Sequence, residues 1–202
     1  MQWLKRTYDS VGLTQYPIGK HLAAVQALFG GNVILCLDVS GSMSMANRLP
    51  QAIEGCTLFV TEAIAAGYSV GGVLWNQGVH QTSGNLTRTG QDATALFLGA
   101  RSSGGNDILP TLRYCEGMLE GKTGDLVIAI FGDGDLGNAN AAIAESKRLL
   151  EKGIRVITCG LGNASAEVLG AISSETSALR VARSDDIAGA IAEMASGLKR
   201  RT

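Results

Sequence analysis

Hydrophobic residues along the chain form two kinds of stretch that alternate. Short runs that are apolar throughout, such as Val-Ile-Leu-Cys-Leu at 33–37 and Leu-Val-Ile-Ala-Ile-Phe at 126–131, predict strands that are buried on both faces. Longer stretches with apolar residues every three or four positions predict helices with one buried face. The predicted strands are 32–37, 69–75, 79–81, 126–131, 155–159 and 179–182, and the predicted helices are 18–29, 49–66, 91–98, 110–119, 139–152, 165–172 and 185–198.

This alternation predicts an α/β fold with Rossmann-like, three-layer α/β/α architecture around a mostly parallel six-stranded sheet. We expect the strand order 3-2-1-4-5-6, with the polar third strand as one antiparallel edge strand. Because 202 residues fit a single core, we assign residues 32–202 to one domain. Residues 1–31 are then an N-terminal arm and helix that pack on it.

Two of the predicted helices begin beside residues that commonly cap helices. Ser165 is expected to cap the helix at 165–172, and Ser184 or Asp185 is expected to cap the last helix. In each case the side-chain oxygen would accept a hydrogen bond from a backbone N–H of the first turn.

The composition is that of a soluble globular protein, with 46% hydrophobic residues, 17% charged residues and a mean hydropathy of +0.17. A formal net charge of −1 gives no general attraction to nucleic acids or anionic membranes. No apolar run reaches the roughly 18 residues of a membrane-spanning helix, and the N-terminal residues lack the apolar segment of a secretory signal. We therefore expect a cytoplasmic protein with no membrane partner.

The four cysteines are widely spaced and form no Cys-x-x-Cys pair, which argues against a zinc site. All four, Cys36, Cys56, Cys115 and Cys159, lie in apolar surroundings. We expect them to be buried thiols in a reducing compartment.

The strongest candidate for chemistry follows the first predicted strand. Asp38, Ser40 and Ser42 stand at alternate positions, and Gly41 between them lets the loop turn. Oxygen-only ligands suit a hard cation such as Mg²⁺. The sequence therefore predicts that this loop forms the floor of a metal site.

The predicted strand order brings a second carboxylate to this loop. Strands one and four are neighbours at the point where the order reverses, and ligands of open α/β sheets bind there. Asp133 follows strand four and would lie beside Asp38 and the two hydroxyls. The loop at 104–107 leads into the helix before strand four and could close over the same point.

Three stretches resemble the motifs of von Willebrand factor A (vWA) domains. Leu-Asp-Val-Ser-Gly-Ser-Met at 37–43 is similar to the DxSxS motif of that family. Ser-Gly-Gly-Asn-Asp at 103–107 resembles its Gly-Gly-Thr-Asp loop, and Phe-Gly-Asp-Gly-Asp at 131–135 resembles its Thr-Asp-Gly motif after strand four. The motifs occur in the family's order, and the resemblance covers residues 32–198.

The resemblance implies a metal-ion-dependent adhesion site for Mg²⁺ or Mn²⁺. Ser40 and Ser42 would be direct ligands, Asp38 and Asp133 would bind directly or through water, and a partner protein's Asp or Glu carboxylate would fill the vacant position. Asn106 would be the remaining ligand.

Two positions depart from the family's pattern. Asn106 stands where the family has Thr, and its longer side chain brings an NH₂ group to the site. Gly132 also replaces a Thr, which removes a hydroxyl but no proposed ligand. Asp107 is expected to cap the next helix instead of binding metal. Asp135 is expected to lie outside the ligand set.

The motifs favour a metal-dependent protein-binding module that is not an enzyme. A Mg²⁺-dependent hydrolase or phosphatase with Asp38 as nucleophile is an alternative, although Ser40 stands where such enzymes carry a second aspartate. A structural vWA domain whose metal site is spoiled by Asn106 is another.

The sequence also narrows the class of relatives and partners. The lack of a secretory signal and of paired cysteines favours a resemblance to stand-alone intracellular bacterial or phage vWA proteins over integrin or matrix proteins. This implies a MoxR-type AAA+ ATPase as a candidate partner. The Ro RNA-binding autoantigen carries a similar first motif, but the sequence has no basic patch with interleaved aromatics, so nucleic acid is not expected.

Overall fold

The computed structural model describes residues 30–175 and 180–198. The predicted arm and the helix at 18–29 lie outside the described residues, as does the start of the predicted sixth strand. The division of the chain at residues 31 and 32 stays a prediction.

Six strands form one sheet in the order β3-β2-β1-β4-β5-β6. All neighbouring strands are parallel except β2 and β3, which are antiparallel, so the predicted fold class, strand order and edge strand are confirmed. The strands are β1 (Gly31–Asp38), β2 (Tyr68–Trp75), β3 (Val79–Thr82), β4 (Asp125–Gly132), β5 (Ile154–Leu161) and β6 (Val181–Ala182).

In the described part of the chain, six α-helices cover the two faces of the sheet. They are α1 (Arg48–Ala65), α2 (Gln91–Leu98), α3 (Leu109–Leu119), α4 (Ala139–Glu151), α5 (Gly162–Gly170) and α6 (Ile187–Glu193). Helices α1, α2 and α6 pack on one face, and α3, α4 and α5 pack on the other. Strand β1 serves both layers because its side chains alternate: Leu35 and Leu37 face the first layer, and Ile34 and Cys36 face the second.

The four cysteines are buried and free, as predicted. Cys36 on β1 and Cys115 on α3 are in contact, with 3.5 Å between their Sγ atoms. None of the described helices is long and apolar enough to cross a membrane.

Two predicted helix caps are wrong. Helix α5 begins at Gly162, three residues before Ser165, and the Ser165 hydroxyl donates to the backbone carbonyl of Asp133 instead of capping the helix. At α6 the cap is Asp186, whose carboxylate accepts a hydrogen bond from the N–H of Gly189 at 3.1 Å. This helix also ends early, because the chain tightens into a 3₁₀ turn at Met194–Gly197.

The segment after β1 is more ordered than a plain loop. It forms a 3₁₀ stretch, Gly41–Asn47, that leads into α1. Ala46 and Asn47 have left-handed backbone angles, with φ of 51° and 58°, where the chain kinks before the helix. This kink turns the chain sharply, so that Asp38, Ser40 and Ser42 stay at the carboxyl edge of the sheet.

Candidate metal centre

The carboxyl ends of β1 and β4 bring two aspartates together. The strands are parallel neighbours with Leu37 opposite Phe131, so the residues that follow in each strand emerge side by side. The backbone N–H of Asp133 donates to Asp38 Oδ2 at 3.3 Å. Asp38 and Asp133 therefore lie next to each other at the switch point, as predicted.

The two serine hydroxyls connect these carboxylates. Ser40 donates its backbone N–H to Asp38 Oδ1 at 2.8 Å, and its Oγ lies 3.0 Å from the Oγ of Ser42. The Ser42 hydroxyl donates in turn to Asp133 Oδ2. All four residues are thus joined in one polar cluster by hydrogen bonds.

The glycine-rich loop at 103–107 packs against one side of this cluster. The N–H of Ser103 donates to the carbonyl of Val39 at 2.7 Å, and the N–H of Gly41 donates to the carbonyl of Gly104 at 3.1 Å. These bonds bring the Asn106 amide to Asp38, where its Nδ2 donates to Oδ2 at 3.4 Å. All five residues predicted as metal ligands are therefore brought together.

Two neighbouring acidic residues lie outside this set. Asp107 accepts a hydrogen bond from the N–H of Leu109 at 3.1 Å, which agrees with its predicted role at the start of α3. Asp135 is exposed and accepts from the N–H of Gly137 at 2.9 Å.

Three residues that sequence reasoning missed support the site. Asn76 follows β2 and holds the 103–107 loop, because its side chain donates to the carbonyl of Ser103 at 3.0 Å. Ser165 on α5 holds the backbone of Asp133. Trp75 ends β2 directly opposite Asp38 and is fully buried. The only sequence signal for Asn76 and Trp75 is their place at the carboxyl end of a strand next to β1.

Asp38 carries a carboxylate in unfavourable surroundings. It is completely buried, and this desolvation raises its pKa from 3.8 to about 6, although the hydrogen bonds from Ser40 and Asp133 oppose the rise. The nearby Asp133 carboxylate also raises the pKa of Asp38. Among the described residues, no lysine or arginine forms an ion pair with either aspartate.

The donor set fits a hard divalent cation. It offers carboxylate and hydroxyl oxygens from four residues. The described part of the chain has no group of three or more His, Cys, Asp or Glu that could hold a metal ion, so a cation here would need the serine hydroxyls as well as the two carboxylates. A dication would offset the two adjacent negative charges. The exception is Asn106, whose amide nitrogen faces Asp38, so its oxygen reaches a cation only after the amide turns over.

The site also has an accessible side. Asp38 and Ser40 are buried at its floor, whereas Ser42, Asn106 and Asp133 are partly exposed. A cation held on this floor would therefore keep a coordination position toward solvent, where a water or an incoming oxygen can bind.

Solved structures with the same fold are vWA domains. The vWF domain of the type V pili tip protein Mfa5 from Porphyromonas gingivalis superposes with a TM-score of 0.75 at 14% identity, over 87% of this chain and 98% of that one. The SpRpn10 VWA domain gives 0.63 at 12% identity, over 77% and 87%. A von Willebrand factor type A protein from Catenulispora acidiphila gives 0.61 at 16%, over 83% and 42%.

Sequence comparison matches this chain to a part of a longer protein. No protein-family model matches the chain. Calcium-activated chloride channel regulator 1 of Homo sapiens is 29% identical over 160 residues, and that of Sus scrofa is 29% identical over 158. These alignments cover 77% and 76% of this chain but only 17% of each relative's length. The comparisons establish that this chain has the fold of a vWA domain.

Proposed function

We propose that the protein is a metal-dependent protein-binding module. Asp38, Ser40, Ser42, Asn106 and Asp133 would hold Mg²⁺ or Mn²⁺, and an Asp or Glu of a partner protein would take the accessible coordination position. The observation that carries this proposal is the fully buried Asp38 carboxylate, which lies beside Asp133 and forms no ion pair with a lysine or arginine of the described ranges 30–175 and 180–198. Such an arrangement is costly in the absence of a cation.

The proposed ligands have different roles at the floor and at the rim of the site. A bound cation would supply the positive charge that attracts a carboxylate. The Ser40 N–H holds Asp38 Oδ1 at the floor, which leaves the Asp38 carboxylate fixed in direction. Ser42 and Asp133 stand at the rim, where they face both the floor and an approaching partner. The rigid β1 and β4 strand ends keep these groups in place before binding.

The structural neighbours support an interaction role. They include the vWF domain of a pili tip protein and the pilus adhesin SpaC from Lactobacillus rhamnosus GG, which matches with a TM-score of 0.68 over 84% of this chain. None of these neighbours is close enough in sequence to name a partner. A MoxR-type AAA+ ATPase, a cytoplasmic location and the absence of enzymatic activity are parts of our proposal that rest on the sequence motifs.

The proposal is tested with an array of peptides in which a central Asp or Glu is matched by an Asn or Gln twin. We expect the Mn²⁺-loaded protein to bind acidic peptides over their amide twins, and EDTA to abolish the difference. Asp38→Asn should lose this preference. Asp135→Asn is the matched control, because Asp135 is close in sequence but outside the site. Equal binding to acidic and amide peptides in Mn²⁺ and in EDTA would refute the proposal.

A further inference from the structure

Three residues form one row across the centre of the sheet at the floor of the site. Trp75 is the register partner of Asp38 on the neighbouring strand β2. On the other side of β1, the step after the Leu37–Phe131 pair brings Asp38 beside Gly132 of β4. The row therefore runs from Trp75 through Asp38 to Gly132.

The Trp75 indole reaches across this row. Strands β2 and β4 lie on opposite sides of β1, so their backbones are two strand spacings apart, roughly 9–10 Å. A Cβ placed on Gly132 would nevertheless lie only 3.1 Å from Cζ2 of Trp75. The ring must therefore extend over β1 at the level of Asp38.

Gly132 supplies the room that this crossing needs. A Cβ at 132 would also lie 3.0 Å from Asp38 Oδ2 and 3.3 Å from Asp38 Cβ, so it would press on the carboxylate and the indole together. The backbone angle of Gly132 is not left-handed. Space, and not backbone conformation, is thus the reason for glycine at this position.

The indole acts on Asp38 through its shape. Trp75 is fully buried, and its Nε1 has no hydrogen-bond partner among the described residues. It therefore offers Asp38 an apolar wall without a polar contact. Asp38 Oδ2, the oxygen nearest the Gly132 position, is also the one that accepts from the Asp133 N–H. Any movement of that oxygen would break the link between the two aspartates.

We propose that Trp75 and Gly132 are a matched steric pair that positions the Asp38 carboxylate for cation binding. The pair takes the place of the Thr that the family motif has before its second aspartate. Trp75 is a positioning residue and not a ligand. The inference rests on the proposed function, because it concerns the same site, but its first readout does not depend on a bound metal.

The experiment compares Gly132→Ala with Gly72→Ala. Gly72 is on β2, the strand of Trp75, and its Cβ would be equally crowded, 3.0 Å from Cζ of the buried Phe97, but on the opposite face of the sheet from that of Gly132. We expect both variants to lose stability to a similar extent. Only Gly132→Ala should displace Asp38 from the Asp133 N–H in a crystal structure and weaken Mn²⁺ binding by at least tenfold in calorimetry.

A double variant tests the coupling between the two positions. Leucine is too short to cross β1, so Trp75→Leu should make room for a larger residue at 132. We expect Trp75→Leu/Gly132→Thr to recover most of the Mn²⁺ affinity that Gly132→Thr loses. If Gly132→Thr does not fold, Gly132→Ala and the double variant still give the comparison.

The outcomes separate this inference from the proposed function. If the wild type binds Mn²⁺ and Gly132→Ala binds it equally well with Asp38 in place, the steric pair is refuted while the metal site stands. If the wild type binds no Mn²⁺, the proposed function fails, and the variant crystal structures alone decide whether the pair positions Asp38. An Asp38 carboxylate that stays bonded to the Asp133 N–H in Gly132→Ala overturns the inference in either case.

Discussion

Two aspartates at opposite ends of the central strands have contrasting surroundings. Asp125 is the first residue of β4, at the amino end of the parallel strands, and Asp38 is the last residue of β1, at their carboxyl end. Asp125 is held by a cation: Arg155 donates to its Oδ1 at 3.0 Å and also to its Oδ2, and the Tyr68 hydroxyl donates to Oδ2 at 2.6 Å. Its negative charge is neutralised within the fold.

Asp38 is the more deeply buried of the two, and no arginine or lysine in the described part of the chain pairs with it. Its contacts are the N–H groups of Ser40, Asp133 and Asn106, all of them uncharged. A second carboxylate, Asp133, lies next to it. The difference indicates that Asp125 stabilises the folded chain, whereas the uncompensated charge of Asp38 among the described residues is the reason we propose a cation there.

Breaking the Arg155–Asp125 pair should give the largest loss of stability. Arg155→Met leaves a mostly buried carboxylate without its cation, which we expect to cost roughly 2–4 kcal/mol, because both side chains keep some exposure to water. Urea unfolding measures this cost. Mn²⁺ affinity should not change, and a loss of affinity as large as that of a site variant would mean that the two ends of the sheet are coupled.

Asp38 should make the folded state less stable as pH rises. Its folded-state pKa of about 6 exceeds its usual 3.8, so the folded state holds this proton more tightly than the unfolded state does. Stability in EDTA should therefore fall as pH rises from about 4 to about 6, by roughly 2–3 kcal/mol.

The control for this pH effect is Asp38→Asn, which cannot titrate at that position. Above pH 6 the wild type and the variant should differ in their free energy of unfolding. Added Mg²⁺ should reduce this difference, because a bound cation stabilises the ionised carboxylate, and without Mg²⁺ the difference should persist. A wild-type curve parallel to that of Asp38→Asn in EDTA would show that burial of Asp38 carries no such penalty.

Replacing Asn106 by the Thr of the vWA motif should raise the affinity of the site for Mn²⁺. The Asn106 amide donates to Asp38 Oδ2 and must turn over before its oxygen can face a cation. Asn106→Thr removes this competing bond and supplies a hydroxyl, so we expect Mn²⁺ to bind about tenfold more tightly, or about 1.4 kcal/mol. Calorimetry with Asn106→Ala as the comparison separates the added ligand from the lost hydrogen bond, and equal affinities in both variants would exclude Thr as a ligand.

The smallest effect is expected from Ser165. Its hydroxyl holds the backbone carbonyl of Asp133 but touches no proposed ligand atom. Ser165→Ala should weaken Mn²⁺ binding by about threefold, since a lost hydrogen bond costs roughly 0.5–1.5 kcal/mol. Ser173→Ala also removes a hydroxyl that donates to a backbone carbonyl, that of Val156 near the amino end of β5, and it should leave the affinity unchanged.

The fold and the ligand cluster were predictable because they follow from regular patterns. Apolar runs alternating with helical spacing give the sheet, and parallel strands deliver Asp38 and Asp133 to one edge. The features that could not be predicted depend on contacts between distant segments. Ser165 caps nothing because α5 already begins at Gly162, which puts Ser165 inside the helix, and the reach of Trp75 across β1 depends on the space at Gly132.

The orientation of the Asn106 amide is another feature that the sequence leaves open. The sequence places Asn106 in the right loop, but which of its two amide atoms faces Asp38 is decided by hydrogen bonds that form only in the fold. The structure thus adds to the predicted ligand set the surroundings that determine how each ligand is held.

The most direct test of the difference between the two aspartates is calorimetric titration of Mn²⁺ into four proteins: wild type, Asp38→Asn, Asp133→Asn and Asp125→Asn. We expect one Mn²⁺ site in the wild type, at least a hundredfold loss of affinity in Asp38→Asn and Asp133→Asn, and wild-type affinity in whatever fraction of Asp125→Asn is folded. A wild-type protein that gives no binding heat and no shift in thermal midpoint with Mn²⁺ or Mg²⁺ would contradict the assignment of Asp38 and Asp133 to a metal site.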